Sequence, residues 1–193
     1  MKRLALFTLL FLLTQVYGRP YLQLEGGYPT IAGKQTMIDT ALVKMSAGFA
    51  VPTTAHISLL GEIGVMTGVT YDAGQLGVYA DDHLHLHLSA APEGLAGASV
   101  RLGRLTFSAL GGFKLDKLST PSDAKQDTLS KLQPVAALRL GYLYNPNVRF
   151  TISVEHTFGG SGDVYRFNNM TAVVTLNHIP SQNTVLAGVQ LAL

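Results

Sequence analysis

The chain has 193 residues, of which 47% are hydrophobic and 13% charged, with 20 glycines and neither tryptophan nor cysteine. That charge content is about half the usual share of a soluble domain, and the positive mean hydropathy of +0.25 argues against a disordered tail. Without cysteine there is no disulfide framework, thiolate-ligated metal or thiol nucleophile; Lys2 and Arg3 supply the whole formal excess of +2, so the rest of the chain is neutral and makes a poor nucleic-acid binder.

Lys2 and Arg3 precede Leu4 to Leu13, an apolar run interrupted only by Thr8, and the small residue Gly18 follows shortly after. A positive start, a short apolar stretch and a small residue are the parts of a cleavable signal peptide, expected over residues 1–18. An anchor helix would need roughly 20 apolar residues, about twice this run. The expected mature chain, residues 19–193, is therefore exported.

From Arg19 onward apolar residues recur at every second position, the period of a strand. After an opening segment over residues 20–28, Val43, Met45, Ala47, Phe49 and Val51 form one such series, and Ile57, Leu59, Gly61, Ile63 and Val65 form the next. Leu84, Leu86 and Leu88 alternate with His83, His85 and His87; then come Leu105 to Leu115, Leu138 to Tyr144, Phe150 to Phe158 and Val185 to Leu193. These make eight strands. Their connections alternate in length: Pro52-Thr53-Thr54, Pro92 to Ala98 and Asn145-Pro146-Asn147 read as short turns, whereas residues 29–37, 71–81, 116–130 and 159–182 read as long polar loops. Short turns at one end and long loops at the other predict an all-β fold, an eight-stranded antiparallel up-and-down transmembrane β-barrel.

Soluble eight-stranded barrels share the period but reverse its polarity, with the apolar face inside and charge outside. Here the apolar face is almost uncharged, and the alternate face carries His, Ser, Thr, Gly and a few ions. Tyr21, Tyr28, Phe49, Phe113, Tyr142, Tyr144, Phe150 and Phe158 fall near strand ends, where membrane barrels place aromatic girdles. The stretch Pro134 to Phe158 resembles the sixth strand, tight turn and seventh strand of the OmpA/OmpX-like outer-membrane barrel family; Leu60 to Val65 resembles its third strand, and Asn183 to Leu193 its closing strand. The resemblance spans the mature chain and implies the barrel half of that family without a peptidoglycan-binding domain. Leu193 departs from the aromatic residue that usually closes the family.

Alternation places Glu25, Lys44, Glu62, Arg104, Arg139, Arg149 and Glu155 in the lumen. A barrel of eight strands is wide enough only for its own side chains, so these charges are expected to pair. Arg139 and Glu155, on neighbouring strands, are expected to meet, with Glu62 reaching Arg139 across the lumen. His83, His85 and His87 are expected as a polar ladder on the inner face, neighbours roughly 6.6 to 6.8 Å apart along the strand. That spacing would let two share a metal only with a ligand from another strand, so no metal or other cofactor is expected. The pairs His56/Ser58 and His87/Ser89 raise the alternative of a PagL-like lipid A deacylase, an outer-membrane esterase, but the neighbouring sequence lacks that family's context and both pairs point inward by parity. A narrow-pore porin is the other alternative.

The expectation is a small, non-enzymatic, monomeric barrel of the cell outer membrane with a closed polar lumen, its exterior loops serving envelope structure or adhesion. The partners that follow are outer-membrane lipid and lipopolysaccharide, the outer-membrane assembly machinery, and a surface or host ligand held by the loops.

Overall fold

The computed structural model describes residues 18–31, 41–68, 70–72, 85–88, 90–119, 128–169, 172–179 and 181–193. Eight strands form the barrel wall: β1 (Arg19–Ile31), β2 (Leu42–Pro52), β3 (Ile57–Thr67), β6 (Ala91–Leu102), β7 (Leu105–Ser119), β8 (Thr128–Asn145), β9 (Val148–Thr157) and β12 (Gln182–Ala192). Each is antiparallel to its neighbour in chain order, and the pairing of β1 with β12 closes the ring. Four shorter strands, β4 (Thr70–Asp72), β5 (His85–Leu88), β10 (Gly160–Asn169) and β11 (Ala172–Ile179), belong to the long connections. β4 and β5 extend the sheet from the far end of β7, and β10 and β11 form a separate hairpin.

The short turns are closed by local chemistry. Between β2 and β3 the amides of Thr53 and Thr54 donate to the Ile57 carbonyl, and Thr54 Oγ1 accepts from the amides of His56 and Ile57. Between β8 and β9, Asn145 Oδ1 accepts from the amides of Asn147 and Val148 while Pro146 presets the bend. Gly103 adopts a φ of +63°, which glycine tolerates without steric cost, and turns β6 into β7.

That last turn corrects two sequence expectations. Pro92 to Ala98 is strand rather than turn, and the fourth barrel strand is β6 rather than the His83–Leu88 segment. Pro92 and the small residues Gly94, Ala96, Gly97 and Ala98 look like turn chemistry, yet alternation continues through them: Glu93 and Leu95 are buried while Gly94, Ala96 and Ala98 are exposed. A proline near the start of a strand costs little. The total is still eight because one strand replaces another. β7 and β8 also run well into the segment read as a loop, paired as far as Ser119 and Thr128.

The wall is inverted relative to a soluble barrel. Its outer face exposes Leu24, Met45, Ile63, Phe107, Leu138 and Ile152, with Ile63 72% exposed, while Lys44, Glu25 and Glu155 on the inner face are each only 1% exposed. Water would disfavour the outer face, and burial without partners the inner one; lipid outside and ion pairs inside satisfy both. Tyr28, Phe113 and Phe158 stand outward toward the loop end, and Tyr142, Tyr144 and Phe150 toward the short-turn end, where Tyr144 and Phe150 pack edge to face. Tyr21, expected in a girdle, is instead buried in the lumen, because it shares the inward parity of Gln23 and Glu25. Replacing Ile63 by lysine should lower the stability of the bilayer-inserted barrel by about 2 to 4 kcal/mol, measured by denaturant titration in vesicles, whereas Ile63→Leu should change it little.

Candidate functional site: a closed ionic lumen

The polar interior has two cationic hubs. On β8, Arg139 makes a forked contact with Glu62 of β3, Nη1 to Oε2 at 2.8 Å and Nη2 to Oε1 at 3.0 Å. Its Nε donates to Ser153 Oγ at 3.2 Å, and Ser153 in turn donates to Glu25 Oε1 at 2.6 Å. Tyr21 completes this lower group by donating its phenol to Glu62 Oε2 at 2.9 Å. On β2, Lys44 is the second hub, joined to Glu155 of β9 at 2.8 Å and, more closely still, to Glu93 of β6. Lys44 Nζ also lies 4.0 Å from Glu62, so one carboxylate faces both cations.

Five of these contacts, Arg139 to Glu62, Lys44 to Glu155, Lys44 to Glu93, Ser153 to Glu25 and Tyr21 to Glu62, join strands that are not neighbours in the sheet. They are struts across the lumen rather than rungs along the wall. Lys114, fully buried on β7, places a third cation toward the loop end. Leu60, Leu95, Leu110, Val135 and Ala137, from the adjacent strands β3, β6, β7 and β8, pack into an apolar cluster on the same strands that carry Glu62, Glu93, Lys114 and Arg139. The ions thus sit beside apolar side chains, and their burial strengthens each pair. A Cβ at Gly48 would come within 2.5 Å of the Tyr21 ring, so glycine there is what lets the ring lie across the lumen to Glu62.

The structure gathers Glu25, Lys44, Glu62, Arg139 and Glu155 in the lumen, and Glu62 reaches Arg139 across it as expected, but Glu155 has a different partner. Glu155 lies on the same wall as Arg139 but pairs with Lys44, because the β8–β9 register sets Ser153, not Glu155, opposite Arg139. Arg149 is half-buried near the short-turn mouth and donates to Gln190 Oε1 at 3.0 Å. Arg104 is not in the lumen: it sits in the β6–β7 turn, exposed, with Nη1 donating to the Tyr142 hydroxyl at 3.4 Å. The polarity pattern still runs at that point, but the strand has already ended.

The histidine ladder is not part of a barrel strand. His85 and His87 lie on β5, where His87 stands opposite Thr70 and Ser119, beyond the ladder that β6 makes with β3; His83 lies outside the described residues. His56 is exposed in the β2–β3 turn, and its Nδ1 is hydrogen-bonded to the Arg101 carbonyl at 3.3 Å rather than to a carboxylate. Ser58 follows at the start of β3, and Ser89 lies outside the described residues. Sequence reasoning missed Glu93 because it lay in a supposed turn, and missed the lumen role of Tyr21 because aromatic residues at strand ends suggest a girdle. Strict parity from Glu25 back to Tyr21 and from Leu95 back to Glu93 would have found both.

A closed, eight-stranded antiparallel barrel with an apolar outer wall and a charged interior is the fold of the small outer-membrane barrels. Among solved structures the chain is similar to Ail, the attachment invasion locus protein of Yersinia pestis, in complex with the heparin analogue sucrose octasulfate, with a TM-score of 0.59 at 11% identity over 91% of this chain and 97% of Ail. It is likewise similar to neisserial surface protein A, with a TM-score of 0.55 at 9% identity over 91% of this chain and 97% of that one. For a major outer membrane protein of Thermus thermophilus the TM-score is 0.50 at 10% identity, over 91% of this chain and 99% of that one. At these identities the likeness is one of fold. No family model and no curated protein matches the sequence.

Breaking the Arg139–Glu62 fork should be costly because it strands a buried charge. Arg139→Leu should reduce stability by about 3 to 5 kcal/mol, and by clearly less when Glu62 is already Gln. Arg139 and Glu155 should show little coupling, since Glu155 answers to Lys44. A double-mutant cycle on urea unfolding in lipid or detergent measures both.

Proposed function

We propose that the protein is an outer-membrane barrel that acts through its exterior loops and not through its lumen, as an element of envelope structure or of attachment to surfaces and host molecules. The single observation that carries this reading is the set of cross-lumen struts: with Arg139, Lys44 and their carboxylates tied together at mid-height, solute has no open path, and the work is left to the outside. The long connections lie at one end of the barrel and bear two excursions, β4–β5 and β10–β11, which is where a display function would reside. Ail, whose fold this chain shares, is an attachment protein solved with a heparin analogue.

Export follows from the signal peptide expected over residues 1–18, and assembly from the machinery that inserts barrels into the outer membrane. The protein works as a monomer among outer-membrane lipid and lipopolysaccharide. A narrow-pore porin fits less well because the struts cross the lumen. The lipid A deacylase reading fits less well because His56 sits at the short-turn end with its ring nitrogen engaged by a backbone carbonyl.

Two measurements test this. The chain should remain in the outer-membrane fraction after carbonate washing and migrate differently on a denaturing gel before and after boiling. Cells displaying it should adhere to immobilised matrix or sulfated glycan more than cells displaying a version with residues 161–168 replaced by a short Gly-Ser turn, while the purified protein gives no large steady conductance in planar bilayers. Well-defined, long-lived channels, or adhesion indifferent to the loops, would contradict the reading.

A further inference from the structure

Ionisable residues are sorted along the barrel axis by type. All four glutamates, Glu25, Glu62, Glu93 and Glu155, are buried in the lumen, and every aspartate lies in the long connections or in the strand extensions that lead into them. The short-turn end therefore carries no acidic side chain. It carries arginine instead: Arg19 at the start of β1, Arg101 and Arg104 on either side of Gly103, and Arg149 near the start of β9.

Three of these lie on the half of the ring from β6 to β9. Arg101, Arg104 and Arg149 belong to β6, the β6–β7 turn and β9, and Tyr142 of β8 lies between the last two in the ring. Arg101 and Arg104 are exposed, and Arg149 is close enough to Arg101 to feel its positive charge. The positive charge of Arg101 acts on Arg149 at an end that carries no acidic side chain, a field that an anion would relieve. The position of Arg104 says what kind of anion. Its guanidinium touches the hydroxyl of Tyr142, and Tyr142 is an outward residue of the aromatic girdle, 43% exposed on the face that meets lipid. Because Tyr142 accepts from Arg104, its own phenolic proton is left to donate outward. A guanidinium and a phenol side by side at the boundary between an apolar wall and water are matched to a phosphodiester held at that same depth.

We propose that the Arg101–Arg104–Tyr142 sector of the short-turn rim binds the phosphate of anionic phospholipid headgroups in the leaflet that borders it, with Arg149 adding to the attractive field. The site rests on the barrel spanning a bilayer and is independent of what the loops recognise. Arg19, across the ring on β1, stands apart from it.

The test uses the full chain inserted into phosphatidylcholine vesicles with spin-labelled phosphatidylglycerol or spin-labelled phosphatidylcholine as probe. The immobilised fraction reports relative affinity. The wild-type protein should prefer the anionic lipid by about fivefold at low salt, the scale of one arginine at a charged surface, and lose the preference as salt rises. Arg101→Gln with Arg104→Gln should bring the two lipids to near equality, Tyr142→Phe should weaken the preference, and Arg104→Lys should keep most of it. Arg166→Gln on β10, in the long connections, should leave it unchanged. A heat-dependent gel shift shows that each variant has folded and inserted, so a failed barrel is not mistaken for a lost site. An unchanged preference in the folded double variant, equal loss in Arg166→Gln, or binding of glycerol phosphate from solution with no preference between lipids would overturn the proposal.

Discussion

A charge inside an eight-stranded barrel has nowhere to go. The wall admits side chains but no water column, so every buried ion must find its counter-ion across the lumen or be replaced by something neutral. Here Arg139 and Lys44 each reach across to carboxylates on strands that do not adjoin their own, and Glu62 faces both. The consequences run outward from that constraint. The pairs brace opposite walls, and on the function proposed above the braced lumen leaves the apolar belt, the loops and the rims as the surfaces on which the protein acts.

The remaining interior completes the bracing. The apolar cluster around Leu60, Leu95 and Leu110 packs on strands that also carry Glu62, Glu93 and Arg139, which lowers the local dielectric and raises the cost of separating a pair. Tyr21 adds a hydrogen bond to Glu62 beyond the Arg139 fork, and Ser153 donates to Glu25. Glycine at position 48 gives the Tyr21 ring its passage. Each of these residues holds another in place.

How far this could be read from the sequence follows from which physical rule governs each part. Alternation is local and strict, so β2, β3, β7, β9 and the closing strand were legible, as was the inward face carrying Lys44, Glu62, Arg139 and Glu155. The stretch from Pro92 to Ala98 was not legible as strand because proline and small residues are the chemistry of turns, and only the parity of Glu93 and Leu95 speaks against that. The pairing of Glu155 with Lys44 was out of reach because it depends on the register and curvature of a closed ring: neighbouring strands β8 and β9 bring Ser153 to Arg139, and closure brings β2 within reach of β9. Arg104 was misplaced for a simpler reason, since parity continues past the residue at which a strand ends.

The Arg139–Glu62 fork is the most direct point at which to test the account. Nitrogen-15 spectra of the arginine side chains in the bilayer-inserted protein should show the Arg139 guanidinium with separately resolved, slowly exchanging Nη protons, because a two-point contact across a dry lumen stops rotation about its terminal bonds. Those signals should merge and exchange rapidly in Glu62→Gln. A single averaged, fast-exchanging Arg139 signal in the wild-type protein would mean that the lumen is wet and unbraced, and would contradict the closed barrel on which the rest depends.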